Sequence, residues 1–101
     1  MKTILASDND KTEAFYNRLR HELEQSTAWP SEYLYKFIIP SDDEKKAEIT
    51  AIFDHSGAVI NSKTSSNGNY TSISVRVHLQ DPDEVIAYYR KVSVIEDVIS
   101  L

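Results

Sequence analysis

A hairpin signal in the middle of the chain constrains the fold more than any other feature. Residues 70–79 (YTSISVRVHL) place an apolar side chain at every second position, which is typical of a strand with one buried and one exposed face. Asn67 and Gly68 precede this strand, and an Asn-Gly pair between two strand-like segments is a strong hairpin signal. The sequence therefore predicts that residues 58–65 and 70–79 form an antiparallel hairpin.

Two further elements are predicted before the hairpin. In residues 8–25, Phe15, Leu19 and Leu23 recur every four positions, which predicts an amphipathic helix. This helix either packs on the body of the protein or forms a dimer or partner surface. Residues 32–39 (EYLYKFII) are rich in aromatic and β-branched side chains, and they predict a strand that ends at a proline.

Two more helices are predicted from capping signals. Ser41 is predicted to cap one helix, with Glu44 reaching back to complete a capping box. Asp81 is predicted to cap the other, with Pro82 at its first position and Glu84 completing the box. The acidic residues that open the first of these helices suit its dipole, so no metal site is needed to explain them.

Residues 95–101 are predicted to form a last strand, so the order after the leading helix is strand, helix, strand, strand, helix, strand. Because crossover connections are right-handed, both helices fall on one face of a four-stranded antiparallel sheet. This order predicts an α+β ferredoxin-like fold, the split βαβ arrangement, with residues 32–101 as the domain and residues 1–31 as an N-terminal helical extension. Leu34 and Ile38 fall on the open face, where the leading helix or a second subunit is expected to cover them.

Composition limits the functions that remain open. The 101 residues carry a formal net charge of −5, which disfavours binding to nucleic acid or to an anionic membrane surface. The absence of cysteine excludes disulfides, thiolate nucleophiles and thiolate metal sites. The first eight residues contain too short an apolar run for a secretory signal, and no segment approaches the ~20 apolar residues of a membrane span, so the sequence predicts a cytoplasmic protein.

The sequence shows no catalytic constellation. His21, His55 and His78 lie on different predicted elements and lack the spacing of a metal-binding helix motif. Because Gly57 and Gly68 are the only glycines, neither a P-loop nor a dinucleotide-binding loop can be formed. The sequence therefore predicts a protein that is not an enzyme and that holds no metal or cofactor.

A ferredoxin-like fold supports several functions, and the residues of the predicted open face favour some of them over others. An RNA-recognition module stacks bases on exposed aromatic residues of its central strands, whereas the exposed row Tyr70, Ser72, Ser74 and Arg76 contains one aromatic residue. An enzymatic alternative depends on Lys36, Arg76 and His78, which are predicted to share this face.

The segment 63–72 (KTSSNGNYTS) is dense in hydroxyl and amide side chains. It is either a polar hairpin turn or a recognition edge for a partner or a small anion. The candidate binding residues are Lys63, Ser65, Ser66, Gly68, Tyr70, Ser72 and Arg76.

The same hairpin carries a family resemblance. Residues 65–75 (SSNGNYTSISV) resemble the S-S-K-G-x-Y-x-S-[VI]-[ST]-[VI] signature of the YbeD-like family, a small bacterial family of unknown function. The first strand at residues 35–40 and the last helix and strand also resemble this family, and the resemblance covers roughly residues 33–101. Asn67 stands where the family has a lysine, and short family members lack the leading helix.

The resemblance implies a ferredoxin-like fold similar to that of ACT regulatory domains, which bind amino acids at the loop after the first strand. That loop usually contains a glycine in ACT domains, and residues 40–43 contain none. The expected function is a regulatory or protein-interaction module that acts through a protein partner or as a homodimer. The alternative is an ACT-like small-molecule sensor, with its pocket between the first strand and the helix at Ser41 or across a dimer interface.

Overall fold

A four-stranded antiparallel sheet organises the structure, a computed structural model that describes residues 6–101 and the side chains of residues 11–101. The strand order is β2-β3-β1-β4, which places β1 and β3 in the centre. This order and the antiparallel pairing confirm the predicted ferredoxin-like α+β fold with an N-terminal helix. The elements are α1 (Ala6–Ser26), β1 (Ser31–Pro40), α2 (Asp43–Ile52), β2 (Val59–Thr64), β3 (Tyr70–Leu79), α3 (Pro82–Ser93) and β4 (Ile99–Ser100).

The alternation along β3 places its apolar residues in the core, as predicted. Val75 and Val77 are buried, whereas Arg76 and His78 are exposed on the other face. β1 pairs with β3 over its full length, with Tyr35 opposite Val75, so the two central strands supply one continuous apolar surface to the helices. The buried cluster comprises Tyr35, Phe37, Ile39, Ile49, Phe53, Ile73, Val75, Val77, Leu79, Val85, Val92 and Ile95.

Tyr35 lies at the centre of an aromatic cluster within this core. Its ring centroid is 4.8 Å from those of Tyr33 and Tyr89 and 5.3 Å from that of Phe53. Its hydroxyl donates to the Val85 carbonyl oxygen at 2.8 Å, and the hydroxyls of Tyr33 and Tyr89 share a hydrogen bond of 2.8 Å. Burial raises the pKa of both Tyr35 and Tyr89, because the phenolate form would lose its hydration.

The N-cap of α2 is Asp42, so the prediction that Ser41 caps this helix is wrong. Asp42 has an extended backbone, and its Oδ1 accepts from the N–H groups of Glu44 at 2.8 Å and Lys45 at 3.3 Å. The Ser41 hydroxyl instead lies 3.0 Å from Thr71 Oγ1 on the end of β3. The N-cap therefore lies one residue later than predicted, and the Ser41 hydroxyl hydrogen-bonds to β3 instead.

The cap of α3 follows the prediction closely. Asp81 accepts from the Glu84 N–H at 2.9 Å, and Pro82 occupies the first turn. Glu84 Oε1 reaches back to the N–H of Gln80 at 2.6 Å, one residue earlier than a standard capping box requires. Both side chains therefore satisfy backbone donors at the start of the helix.

Replacing Asp42 with alanine is expected to lower the free energy of unfolding by about 1 kcal/mol, because two first-turn N–H groups lose their acceptor. Asp42→Asn should retain most of the stability, since asparagine caps equally well. Urea denaturation of both variants measures the difference. A loss in Asp42→Asn as large as that in Asp42→Ala would show that the cap is not the source of the effect.

The last strand is shorter than predicted. α3 continues to Ser93, Ile95 packs into the core, and Asp97 turns the backbone with φ of 65° before β4 begins. β4 then spans Ile99–Ser100, where the prediction had a strand over residues 95–101. Ile95, at the start of that segment, is buried as part of a turn.

The leading helix packs against α3 and leaves the open face of the sheet uncovered. The Arg90 guanidinium lies 4.5 Å from the centre of the Tyr16 ring and donates to both carboxylate oxygens of Glu13 at 2.7 and 2.8 Å. A second contact joins Arg20 to Asp83. The hydrogen bonds from Arg90 lower the pKa of Glu13, and Glu13 in turn raises the pKa of Arg90. The sequence left open whether the leading helix or a second subunit covers the open face, and this structure excludes the leading helix.

Candidate functional site

The sheet face opposite the helices, called here the open face, is bare along all four strands. Leu34, Val59 and Ile99 each expose 50–54% of their surface on it. The two central strands supply most of its polar groups. Strand alternation and register place on this face Glu32, Leu34, Lys36, Ile38, Val59, Asn61, Lys63, Tyr70, Ser72, Ser74, Arg76, His78 and Ile99.

Cross-strand register orders the centre of the open face into three rows. Neighbouring rows are about 7 Å apart, because each is separated from the next by two strand residues. A basic residue occurs in every row. The rows are Val59, Arg76 and Leu34; then Asn61, Ser74 and Lys36; then Lys63, Ser72, Ile38 and Ile99.

The charge of the open face is opposite to that of the whole chain. Three cations, Lys36, Lys63 and Arg76, lie on it. The strands place one carboxylate there, Glu32, whose Oε1 lies 3.9 Å from Arg76 Nε. Since the chain has a net charge of −5, this face carries +2 and the remaining residues carry −7. Among the described side chains, no carboxylate forms an ion pair with Lys36 or Lys63.

The hairpin turn at one end of this face is held by side-chain hydrogen bonds. The Ser65 hydroxyl donates to Asn67 Oδ1 at 2.8 Å and accepts from the Tyr70 N–H at 3.1 Å. The Gly68 N–H donates to the Ser65 carbonyl at 2.9 Å, and Gly68 has φ of 78°. The Asn-Gly hairpin is confirmed, and the left-handed backbone at Gly68 explains the glycine there.

Gly68→Ala is expected to cost about 1–2 kcal/mol of stability, because an L-residue is strained at this left-handed φ. No heavy atom lies within 4 Å of the added Cβ, so the cost is in the backbone alone. Gly68→Asn should cost less, since asparagine tolerates this conformation better than alanine. Thermal unfolding of the two variants measures the difference, and equal losses would argue against backbone strain as the cause.

A cleft of about 350 Å³ opens on the open face beside the hairpin turn. Ile38 and Tyr70 provide apolar surface, whereas Lys63 provides a cation and Ser66 a hydroxyl. The Ser72 hydroxyl is 3.4 Å from the Lys63 carbonyl oxygen. The lining consists of Ile38, Lys63, Thr64, Ser65, Ser66, Tyr70 and Ser72.

This hairpin cleft brings together five of the seven residues predicted as binding candidates. They are Lys63, Ser65, Ser66, Tyr70 and Ser72. Gly68 does not line the cleft and serves the turn. Arg76 lies two rows away, opposite Leu34 and Val59, where it faces Glu32.

The sequence prediction missed Ile38 and Thr64 as members of the cleft. Ile38 had been placed on the open face, but its role depends on the register that sets it opposite Ser72. Thr64 lies at the end of β2, opposite Thr71, where the two strands enter the turn. A register count outward from the Asn67-Gly68 turn would have found Thr64, whereas the β1–β3 pairing has no such local signal.

A smaller polar cleft of about 190 Å³ lies between the end of β1 and the start of α2. Its lining includes Ser41, Asp43, Lys46 and Thr71. This is the location predicted for an ACT-like ligand, but its walls are almost entirely polar, because they consist of carboxylates, hydroxyls and the Lys46 side chain. The hairpin cleft is larger and combines apolar surface with a cation.

The residues of the enzymatic alternative share the open face but occupy separate rows. Lys36 pairs across from Ser74, Arg76 from Leu34, and His78 from Glu32. Within residues 11–101, no group of three or more His, Cys, Asp or Glu side chains is arranged to hold a metal ion. The arrangement thus offers binding groups spread over a surface.

The exposed side of the leading helix borders an apolar groove. Phe15 is 54% exposed, while Tyr16 is the buried aromatic residue of α1. Phe15 and Leu19 face Tyr33 and the chain end at Leu101 across a space of about 350 Å³. The predicted apolar stripe of this helix therefore packs on α3 only in part.

The described residues thus form a small ferredoxin-like α+β domain with one sheet face uncovered. It belongs to a family described as a protein of unknown function (DUF493), which it matches over residues 24–101. This agrees with the predicted resemblance to a family of unknown function. The matched segment begins within the last part of α1, so most of that helix precedes the family match.

The fold is similar to that of a solved structure, the solution structure of protein HP0495 from H. pylori. The TM-score is 0.61 and the sequence identity 18%, and the alignment covers 75% of this chain and 86% of that protein. At this identity the likeness concerns the fold alone. No curated protein gave a significant match to the sequence. Across residues 6–101, none of the helices combines the length and apolar character required to cross a membrane.

Proposed function

We propose that this domain is a non-catalytic protein-interaction module that binds its partner on the open face. The observation that carries the proposal is that a complete sheet face is bare while α2 and α3 already cover the other. A sheet normally buries its apolar residues against another layer. Leu34, Val59 and Ile99 are each about half exposed on this face, and a partner would remove them from water.

Site-directed photo-crosslinking in the cells that produce the protein tests this proposal. The photoreactive residue p-benzoylphenylalanine replaces Asn61 on the open face or, as a control, Ala47 on the exposed surface of α2. The expected result is a discrete covalent adduct from position 61 and none from position 47. An adduct with a second copy of the chain would support the homodimeric form of the proposal. The absence of any adduct from position 61 would overturn it.

A second candidate function is a small-molecule sensor of the regulatory type. It is favoured by the hairpin cleft, where a free cation, hydroxyls and apolar surface converge. Such a cleft suits a small organic anion with an apolar portion, which Lys63 and the Ile38 side chain would contact. A thermal-shift screen of metabolites should then give a stabilising compound whose effect is lost in Lys63→Ala and kept in Lys46→Ala. A screen without such a compound would count against the sensor.

A further inference from the structure

We infer that the partner of the open face is an amphipathic helix that presents carboxylates between two apolar contacts. This inference rests on the proposed function and specifies the chemistry of the partner. The first observation is charge complementarity, because Lys36, Lys63 and Arg76 give this face a charge of +2 on a chain of −5. Glu32, near Arg76, is the only carboxylate among the strand residues that point outward here.

The spacing of the apolar residues sets the pattern on the partner. Leu34 and Ile38 are four residues apart along β1, which corresponds to about 13 Å of strand. Val59 accompanies Leu34 in one outer row, and Ile99 accompanies Ile38 in the other. The middle row is polar and contains Lys36. A partner that matches these rows places apolar side chains at both ends of a ~13 Å span and acids between them.

The sheet geometry favours a helix over an extended segment as the occupant. The backbone groups of β1 and β3 are engaged in the sheet, so the open face presents side chains only. An extended peptide lying on it would bury its own N–H and C=O groups without partners, which is costly. A helix satisfies these groups internally, and eight helical residues span about 12 Å. Apolar residues two turns apart, with Glu or Asp on the turn between them, therefore fit the rows.

Other occupants fit the charges less well. Two copies that docked their open faces in a symmetric pair would oppose Lys36, Lys63 and Arg76 with the same three cations. Nucleic acid is bound through many phosphate contacts and through stacking on aromatic residues. This face has three cations, and among its strand residues Tyr70 is the only Phe, Tyr or Trp. Three cations also give a weak attraction to an anionic membrane surface.

NMR titration of the full-length ¹⁵N-labelled chain tests the inference with three synthetic peptides. The first is a helical peptide with Leu two turns apart and Glu on the intervening turn. The second replaces the Glu residues with Lys, and the third replaces the Leu residues with Ala. The first peptide is expected to shift the amides of Leu34, Lys36, Ile38, Ser72 and Ser74. The other two should bind at least tenfold more weakly.

Charge reversal on the protein provides the matched comparison. Lys36→Glu combined with Lys63→Glu should weaken binding of the acidic peptide at least tenfold. Lys11→Glu combined with Lys46→Glu changes the net charge equally on the exposed helical surface and should have less than a threefold effect. Raising the salt concentration should weaken binding to the unmodified protein, which tests the charge contribution even if a variant folds poorly.

The outcomes separate the partner chemistry from the proposed function. If the Lys peptide binds the open face as tightly as the Glu peptide, the partner is not acidic, while the interaction module still stands. Tighter binding of a single-stranded oligonucleotide or of vesicles containing anionic lipid would also overturn the acidic helix. If the acidic peptide shifts none of the open-face amides, the inference is wrong, and the crosslinking experiment alone then decides the proposed function.

Discussion

Tyr35→Ala is expected to lower the free energy of unfolding by about 3–5 kcal/mol, the range for removal of a large buried aromatic side chain. Tyr35 is fully buried, and its ring contacts Tyr33, Phe53 and Tyr89. Its removal leaves a cavity beneath both α2 and α3. Since small domains have a total stability of about 5–15 kcal/mol, the variant is expected to be partly or wholly unfolded at 37 °C. Urea denaturation at 25 °C measures the loss.

The matched variant is Tyr35→Phe, which keeps the ring and removes the hydroxyl. Its expected cost is about 1 kcal/mol, because one hydrogen bond to the Val85 carbonyl is lost. The ratio between the two variants separates ring packing from hydrogen bonding. A loss in Tyr35→Phe comparable to that in Tyr35→Ala would mean that the hydroxyl, and not the packed ring, dominates.

Alkaline pH is expected to destabilise the protein through the same aromatic cluster. Burial raises the folded-state pKa of Tyr35 and Tyr89 above their ordinary value of 10.0. Above pH 10 the unfolded chain therefore ionises at both positions while the folded chain keeps both protons. The unfolded state then binds fewer protons, so the stability that is fully present below pH 10 decreases as the pH rises. With two groups, the expected loss between pH 9 and pH 11 is about 2–3 kcal/mol.

Urea denaturation across pH 8–11 measures this loss, and the double variant Tyr35→Phe with Tyr89→Phe is its control. The double variant is less stable at neutral pH, but its stability should change less between pH 9 and pH 11 because neither position ionises. The Tyr33 hydroxyl loses its Tyr89 partner in this variant, so single variants complete the comparison. A pH dependence as steep in the double variant as in the native protein would place the effect elsewhere.

Much of the sheet could be predicted because its signals are local. The alternation of residues 70–79 is a direct consequence of the two-residue period of a strand, and β3 matches those bounds. Asn67 and Gly68 identify the turn because few residues tolerate its left-handed backbone, and Gly68 has φ of 78°. Once this hairpin is placed, the right-handed crossovers leave one arrangement for the remaining strands.

Local signals were less reliable where two groups compete for the same role. Ser41 and Asp42 are both good N-caps, and the sequence alone does not choose between them. The choice depends on Thr71, which lies 30 residues away and hydrogen-bonds the Ser41 hydroxyl. The last strand was predicted to be too long for a related reason. Ile95 is buried in the core from a turn, and β4 begins only at Ile99.

The candidate site likewise has residues that the sequence could predict and others that only the fold brings in. The sequence places Lys63, Ser65, Ser66, Tyr70 and Ser72 around one turn, and the structure brings these side chains to one cleft. Their apolar neighbour Ile38 comes from β1, at a sequence distance that no local pattern spans. The positive charge of the open face likewise appears only when three strands are aligned.

The sequence by itself determined the first three strands, the hairpin and which residues of β3 face the core, because these follow from backbone geometry and residue periodicity within a few positions. The position of the leading helix was decided only by the tertiary structure. Its apolar residues indicate that one side is buried but not against which surface. Contacts such as Arg90 with Glu13, 77 residues apart, place it on α3. That placement leaves Leu34, Lys36 and Arg76 uncovered, and the open face exists because of it.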